Sequence, residues 1–461
     1  ERDLDFSRDV PAGLLERLET ARTRSREAQD ELMQLSPDKE PERVTECQRL
    51  LSERRREQAL VWEEIRRESP RLAALRAPET LTADQVAEVM GRDTLFLSYA
   101  VSERATHLFA LLNGQLRVES VPLGRQQVQE AVEYYLAMLS NPASRKVRLM
   151  GRAHALYRQL VAPVDDLVRR SQRIVVCPDG PLHMMPFAAL GPATNRYLIE
   201  EKPVSYVISA TVYADGLRHE PQRASRPVVL FGDPDYPGQA AGGSAARLLR
   251  WVLRDDPVPP LPASRDEVQG IAALYPGAHV AYLGAEAREE RVKSLDRQPG
   301  YLHFACHGFY NPVNPMDSGL LLTIPGEGGD DRDNGFLQVW EVFENVRIDA
   351  EQVSLSACET ARGRELGGEG LVGLNRSFLY AGARTVMSTL WSVADASTAE
   401  FQKLYYRHLK SGRAKTEAAR LTQREFINGK VRIVPTEPAG EPPDLSHPYF
   451  WAGFVLNGQW R

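Results

Sequence analysis

Over the first 80 residues, apolar side chains recur at spacings that alternate between four and three: Leu14, Leu18, Ala21, Ser25, Ala28, Leu32 and Leu35. That pattern keeps one helical face apolar and marks a coiled-coil seam, with Ser25 its weak point. Ser36-Pro37-Asp38 and Pro41 interrupt it. A rougher seam follows through Val44, Cys47, Leu51, Val61 and Ile65. The two seams predict an antiparallel helical hairpin closing near Ser69-Pro70. It would either pack on its own domain or serve as a docking or sensing arm. The triplet Arg54-Arg55-Arg56 stands among Glu53, Glu57, Glu63 and Glu64. It reads as a solvated face, not a nucleic-acid patch.

From about residue 85 the pattern changes to short β-rich runs between amphipathic segments. Leu95–Leu97, His107–Leu112 and Arg117–Val121 read as strands, with a Leu112-Asn113-Gly114 turn between the last two. Residues 124–140 and 152–170 read as helices, and Arg173–Cys177 as a buried strand. A second α/β stretch begins near Pro227. Its strands are expected at Val228–Phe231, His279–Leu283, Tyr301–Ala305, Gly319–Ile324, Val353–Ser356 and Thr385–Leu390. Its helices are expected at Ser264–Leu274, Arg288–Leu295, Leu371–Ala381 and Ala396–Lys410. Such alternation predicts a mostly parallel sheet covered by helices, with ligands at the carboxyl ends of the strands.

Composition narrows the class. The chain has 461 residues, a net charge of −5 and 43% hydrophobic residues, enough for a large core and no bulk attraction to nucleic acid or anionic membrane. No apolar run reaches the length of a membrane span. Four scattered cysteines, Cys47, Cys177, Cys306 and Cys358, form no CxxC pair, which argues against a disulfide framework or structural zinc and suits a reducing cytosol. A start at Glu1 suggests a fragment or processed form of a longer protein.

Two strand ends carry candidate chemistry. One is Leu302-His303-Phe304-Ala305-Cys306-His307-Gly308; the other is Val353-Ser354-Leu355-Ser356-Ala357-Cys358. Neighbouring parallel strands would bring His307 and Cys358 to one sheet edge. A free thiol is only a few per cent thiolate at neutral pH. An adjacent imidazole raises that fraction and then protonates the leaving amine. The small residues before Cys358 would let substrate approach, and the N–H groups of Gly308 and Cys358 would make an oxyanion hole. Taken alone, each motif also fits a buried cysteine or a strand-end histidine with a structural role.

The histidine segment "LHFACHG" and the cysteine segment "LSACETARG…GGEGLVGLNRSFLYAGARTVMSTLWSVAD" resemble the active-site motifs of the CHAT family, caspase-like cysteine peptidases related to separase. The resemblance extends back to "VVCPDGPLHMMPFAAL" (175–190) and on to "HPYFWAGFVLNG" (447–458), covering roughly residues 85–461. Neither motif departs from the pattern. The resemblance implies His307 as the catalytic histidine and Cys358 as the nucleophile. It also implies a caspase-like α/β fold: a degenerate unit (83–222), then an active unit (223–461), behind a helical arm (1–82). Family members often carry helical repeats upstream, but no 34-residue repeat is present in residues 1–80.

Substrate choice needs a pocket. Asp395, in "LWSVAD", is similar to the separase residue that recognises arginine; its other reading is the N-cap of the following helix. Asp317 is a second acidic candidate, and Trp391 is a pocket wall or core. The remaining motifs read as support. Cys306 is expected to be a buried small hydrophobe and Cys177 core. His303 shares the face of His307 by the period of two and is expected to be structural. His183 and His447 would hold loops. Gly368-Glu369-Gly370-Leu371-Val372-Gly373 matches GxGxxG but does not directly follow a strand, so it is expected to be a flexible loop, not a dinucleotide site. Residues 325–334, acidic and glycine-rich, would form a lid or a passive insertion.

These readings lead to a regulated cysteine endopeptidase that cuts a protein substrate, with a basic residue preferred before the cut and a role in bacterial signalling or defence. It would use no cofactor and no metal, act in the cytoplasm, and answer to an upstream sensor region or activator protein. It would not bind nucleic acid or membrane directly. The alternative is a non-catalytic caspase-like scaffold.

Overall fold

The structure is a computed structural model and describes residues 11–34, 41–68, 80–218, 226–236, 258, 260–295, 299–309, 315–325, 333–357, 368–433 and 442–461. By compactness the chain divides between Thr80 and Leu81.

The first unit is a pair of helices, Ala12–Gln34 and Pro41–Glu68. Leu18 packs on Val61 and Ile65, with Leu14 and Leu15 beside them. Arg17 grips Glu64 with two hydrogen bonds, 2.6 and 3.0 Å long. Early residues of one helix therefore meet late residues of the other, so the pair is antiparallel. The ion pair is exposed and screened by solvent, so it adds little; the apolar seam holds the hairpin.

The second unit is built on one sheet of eleven strands. β1 (Thr94–Val101), β2 (Thr106–Leu112) and β3 (Gln115–Val121) form an antiparallel meander. β4 (Arg173–Cys177) and β5 (Val204–Tyr206) extend it in parallel from β1. The other flank holds β6 (Val228–Gly232), β7 (His279–Leu283), β8 (Tyr301–Ala305), β12 (Gln352–Ser356) and β13 (Thr385–Thr389), all parallel. β14 (Phe454–Gly458) joins the flanks, parallel to β5 and antiparallel to β13. The full order is β3-β2-β1-β4-β5-β14-β13-β12-β8-β6-β7. Every position of β6, β12 and β13 is buried, as both faces of a helix-covered parallel sheet require.

One apolar layer runs across both flanks. It joins Leu97, Tyr135 and Leu156 of the first flank to Val268, Phe401 and Tyr405 of the second. The divide expected at 222/223 is therefore no break in compactness, because a single sheet crosses it.

Other departures have local causes. The helix expected over 152–170 is two, Lys146–Leu160 and Asp165–Arg170, parted by a turn at Pro163. The strand expected to Ile324 stops early: β10 is Gly319–Leu321, and it pairs with β9 (His307–Phe309) and β11 (Phe336–Gln338) in a separate antiparallel sheet. No described helix is long and apolar enough to cross a membrane.

Candidate active site

Parallel strands deliver their ends to one edge. Gly232 of β6 lies opposite Ala305 of β8, which lies opposite Ser356 of β12. The segments leaving these strands emerge side by side. Gly232 permits tight packing here, since a Cβ would sit 2.5 Å from Val268 Cγ2. After β8 the chain bends at Cys306, and His307 opens β9.

A Cβ on Gly308 would lie 3.3 Å from the Ala357 carbonyl oxygen and 3.4 Å from the Ala357 Cβ. The segment carrying His307 and the residue before Cys358 thus pass close to each other. Cys358 itself lies outside the described residues, as does most of the acidic 325–334 stretch.

His307 is buried, and its ring lies 5.3 Å from that of Tyr236, centroid to centroid. The Tyr236 hydroxyl accepts from the His307 backbone N–H (3.3 Å) and donates to the Leu321 carbonyl (3.1 Å). Burial holds this phenol protonated, well above its usual range. Tyr236 therefore ties the imidazole segment to the loop after β6 and to β10. Sequence reasoning missed it, because it stands in a Pro/Gly/Ala-rich loop that reads as plain connection.

His303 and His307 belong to different sheets, and the bend at Cys306 gives them different neighbours. His303 Nε2 is 2.7 Å from Glu267 Oε1, with both side chains buried. Its ring stands edge-on to Tyr406. Cys306 is 1% exposed, and burial, followed by Glu267, pushes its thiol far up. It is a buried, inert group. Cys177 is also largely buried, which pushes its thiol up to about 11. Burial pushes His183 down to about 4. His447 braces a loop: its Nε2 is 2.8 Å from the Ser144 carbonyl oxygen, and its Nδ1 accepts from the Tyr449 N–H.

Asp395 is the first residue of the Asp395–Lys410 helix. Its carboxylate does not cap that helix. It accepts from the Ala263 N–H (2.8 Å), in the first turn of the Pro262–Leu274 helix. Burial pushes it up to about 6, and Glu267 and Asp233 add to the rise against the Ala263 bond. Asp233 is held by Arg265, Nε to Oδ2 at 2.6 Å. No cationic side chain among the described residues is bonded to Asp395. The result is a half-buried acid with one hydrogen bond and acidic neighbours, an environment suited to an incoming cation.

The other candidates are placed differently. Trp391 is 3% exposed, packs under Gly453 and donates to the Tyr449 carbonyl. This packing makes it core, not a pocket wall. Asp317 ends a short 3-10 turn, Pro315–Asp317; its side chain lies outside those described. The GxGxxG glycines form no loop. They occupy the first turns of the Gly368–Ala381 helix, where Gly373 brings that helix close to Val339.

A polar cluster that the sequence did not reveal stands behind β9–β11. Lys293 contacts Glu289 (2.6 Å), Glu341 (2.9 Å) and Asp333 (3.1 Å). Glu289 also accepts from the Gly335 N–H, and Glu341 from the Gln338 N–H. Burial and Glu341 push Glu289 up. The cluster pins the approach to β11 and so braces the small sheet that begins at His307. No group of three His, Cys, Asp or Glu among the described residues is arranged to hold a metal.

This architecture, a large mostly parallel sheet with helices on both faces and a histidine segment against the Ala357 strand end, defines an α/β protein with its candidate site at the carboxyl edge. Residues 151–459, well over half of the chain, match the CHAT domain, and the chain belongs to that family. Two curated relatives are tetratricopeptide repeat protein 28 of Mus musculus, 28% identical over 351 residues, and that of Homo sapiens, 26% identical over 350. Each match covers 66% of this chain, which spans only 13% of the relative's length. Among solved structures, the Saccharomyces cerevisiae separase–securin complex is similar at a TM-score of 0.48 and 10% identity, covering 85% of this chain and 31% of the other. The Arg-specific cysteine proteinase gingipain R is similar at 0.35 and 6%, covering 73% and 74%.

Proposed function

We propose that this chain is a regulated cysteine endopeptidase acting on a protein substrate. The observation that carries the reading is the close approach of Gly308 to Ala357, with the His307 segment beside the residue preceding Cys358. His307 takes the thiol proton of Cys358, and the thiolate adds to the scissile carbonyl carbon. The C–N bond then breaks, and the imidazolium gives its proton to the departing amine. Water, deprotonated by His307, cleaves the thioester and restores the thiol. The N–H groups of Gly308 and Cys358 hold the oxyanion; losing one such donor typically costs about 3–4 kcal/mol. The environment of Asp395 supports a preference for Arg or Lys before the cut. Asp317, near the same edge in sequence, is a secondary acidic candidate.

An upstream sensor or activator protein would control the activity, and the setting would be cytoplasmic. A role in bacterial signalling or defence rests on the family resemblance alone; the mouse and human relatives add nothing to it.

The test is cleavage of a peptide library, varied at the residue before the cut, by wild type and Cys358→Ala. Cleavage after Arg or Lys that disappears in the variant supports the whole reading. Cleavage after another residue keeps the dyad and removes the role of Asp395. Unchanged cellular function of Cys358→Ala would favour the non-catalytic scaffold.

A further inference from the structure

The eleven-stranded sheet ends at β3, which pairs with β2 alone. Among the described residues, the outward backbone groups of β3 meet no partner. The strand is seven residues long and carries no proline, lysine or bulge; its charged residues, Arg117 and Glu119, lie on the half-buried face. Its solvent face is apolar: Leu116 is 50% and Val118 53% exposed, and Phe109, opposite Val118 on β2, is 38% exposed.

We infer that β3 is a self-pairing edge, and that a second copy of this chain adds its own β3 antiparallel across a two-fold axis at Val118. The sequence Gln115-Leu116-Arg117-Val118-Glu119-Ser120-Val121 selects this register. With the axis at Val118, Arg117 of each copy faces Glu119 of the other, so two opposite-charge pairs form at once. Moving the axis to Arg117 or Glu119 sets like charges against each other. Moving it by half a step puts each strand's apolar face against the other's polar face. In the Val118 register, Phe109, Val118 and their two counterparts form one apolar row over four strands, as a closed isologous pair requires. Arg117 also contacts Asp166 within its own subunit, with side chains 39% and 45% exposed. Such an exposed contact leaves the guanidinium able to meet Glu119 of a second copy.

The test is sedimentation velocity on the full chain. Wild type is expected to show a concentration-dependent dimer. Arg117→Glu sets carboxylate against carboxylate in both cross-copy pairs, and Glu119→Arg sets guanidinium against guanidinium. Each alone should weaken association about tenfold or more. Mixed in equal amounts, the two variants complement each other and should pair as heterodimers. Asp166→Asn, which removes only the contact within a subunit, should leave the dimer intact. Circular dichroism and melting curves confirm folding. A wild type that stays monomeric overturns the proposal, as do single variants that dimerise like wild type or a mixture that fails to pair. Any of these would leave the edge to another chain or to a segment of its own.

Discussion

Asp395 offers a test that separates function from stability. Its carboxyl is pushed from 3.8 to about 6. At roughly 1.36 kcal/mol per tenfold change in ionisation, that gap is about 3 kcal/mol. Partial exposure screens it to about 1–2 kcal/mol. Because the folded value is raised, the ionised group costs stability above about pH 6. The cost shrinks as pH falls and vanishes below about pH 4, where folded and unfolded chains both carry the proton. Asparagine keeps an oxygen for the Ala263 N–H and carries no charge. Asp395→Asn is therefore expected to gain about 1 kcal/mol in urea unfolding at pH 8 and nothing near pH 4. In the same protein, kcat/KM for a peptide with Arg before the cut should fall about 10- to 100-fold, while a neutral peptide is cut as before. A variant that loses about 1 kcal/mol at pH 8, as a missing charged cap would, refutes the reasoning. The acid would then be serving the 262–274 helix.

Three further outcomes follow from the packing. Lys293→Met strands two nearly buried carboxylates and should cost about 3–5 kcal/mol of unfolding free energy; urea melts check it, and a loss under about 1 kcal/mol would mean the cluster adapts. Tyr236→Phe keeps the ring beside His307 and loses two hydrogen bonds, so kcat should fall less than about tenfold. Tyr236→Leu removes the ring; it should lower kcat much further with KM little changed, and equal kinetics for the two variants would deny the ring its role. Gly232→Ala drives a Cβ into Val268 and should cost about 1–3 kcal/mol in thermal melts, with Val268→Ala in the same chain restoring part of it.

The core strands were legible because helices cover both their faces: β6 reads as an unbroken apolar run, and β12 and β13 as short runs of apolar and uncharged polar residues. The hairpin was legible from its seam. Strands of three residues, such as β5, β9 and β11, are too short for any period to register. Their place is set by partners far along the chain. Glu289 and Lys293 fall in a charged stretch that resembles a solvated surface, Glu341 stands alone among apolar residues, and only the fold brings them together. Glu267 looks like a solvent-facing charge on an amphipathic helix, yet it lies under His303, which is 36 residues away in sequence. Asp395 was expected either in a pocket or capping its own helix. Its carboxylate instead accepts from the Ala263 N–H, 132 residues distant, a pairing no local pattern encodes. The strand ends bearing His307 and Ala357 were legible, because two parallel neighbours ending in small residues meet at one edge by topology alone.

β14 also has a temporal consequence. It sits in the middle of the sheet, yet the ribosome makes it long after both of its neighbours. β1 to β5 have all their mutual partners once residue 206 has been made, and β6, β7, β8, β12 and β13 have theirs once residue 389 has. Each set then exposes an unfilled edge, β5 on one side and β13 on the other. Only Phe454–Gly458 closes the gap. Joining contacts so remote in sequence is slow, and open strand edges invite mispairing in the meantime. Nascent chains halted before residue 454 would hold the strands leading to Asp395 and His307 with one flank unsupported. The peptidase chemistry proposed above would then begin only after β14 is released and docked, a built-in delay between synthesis and activity.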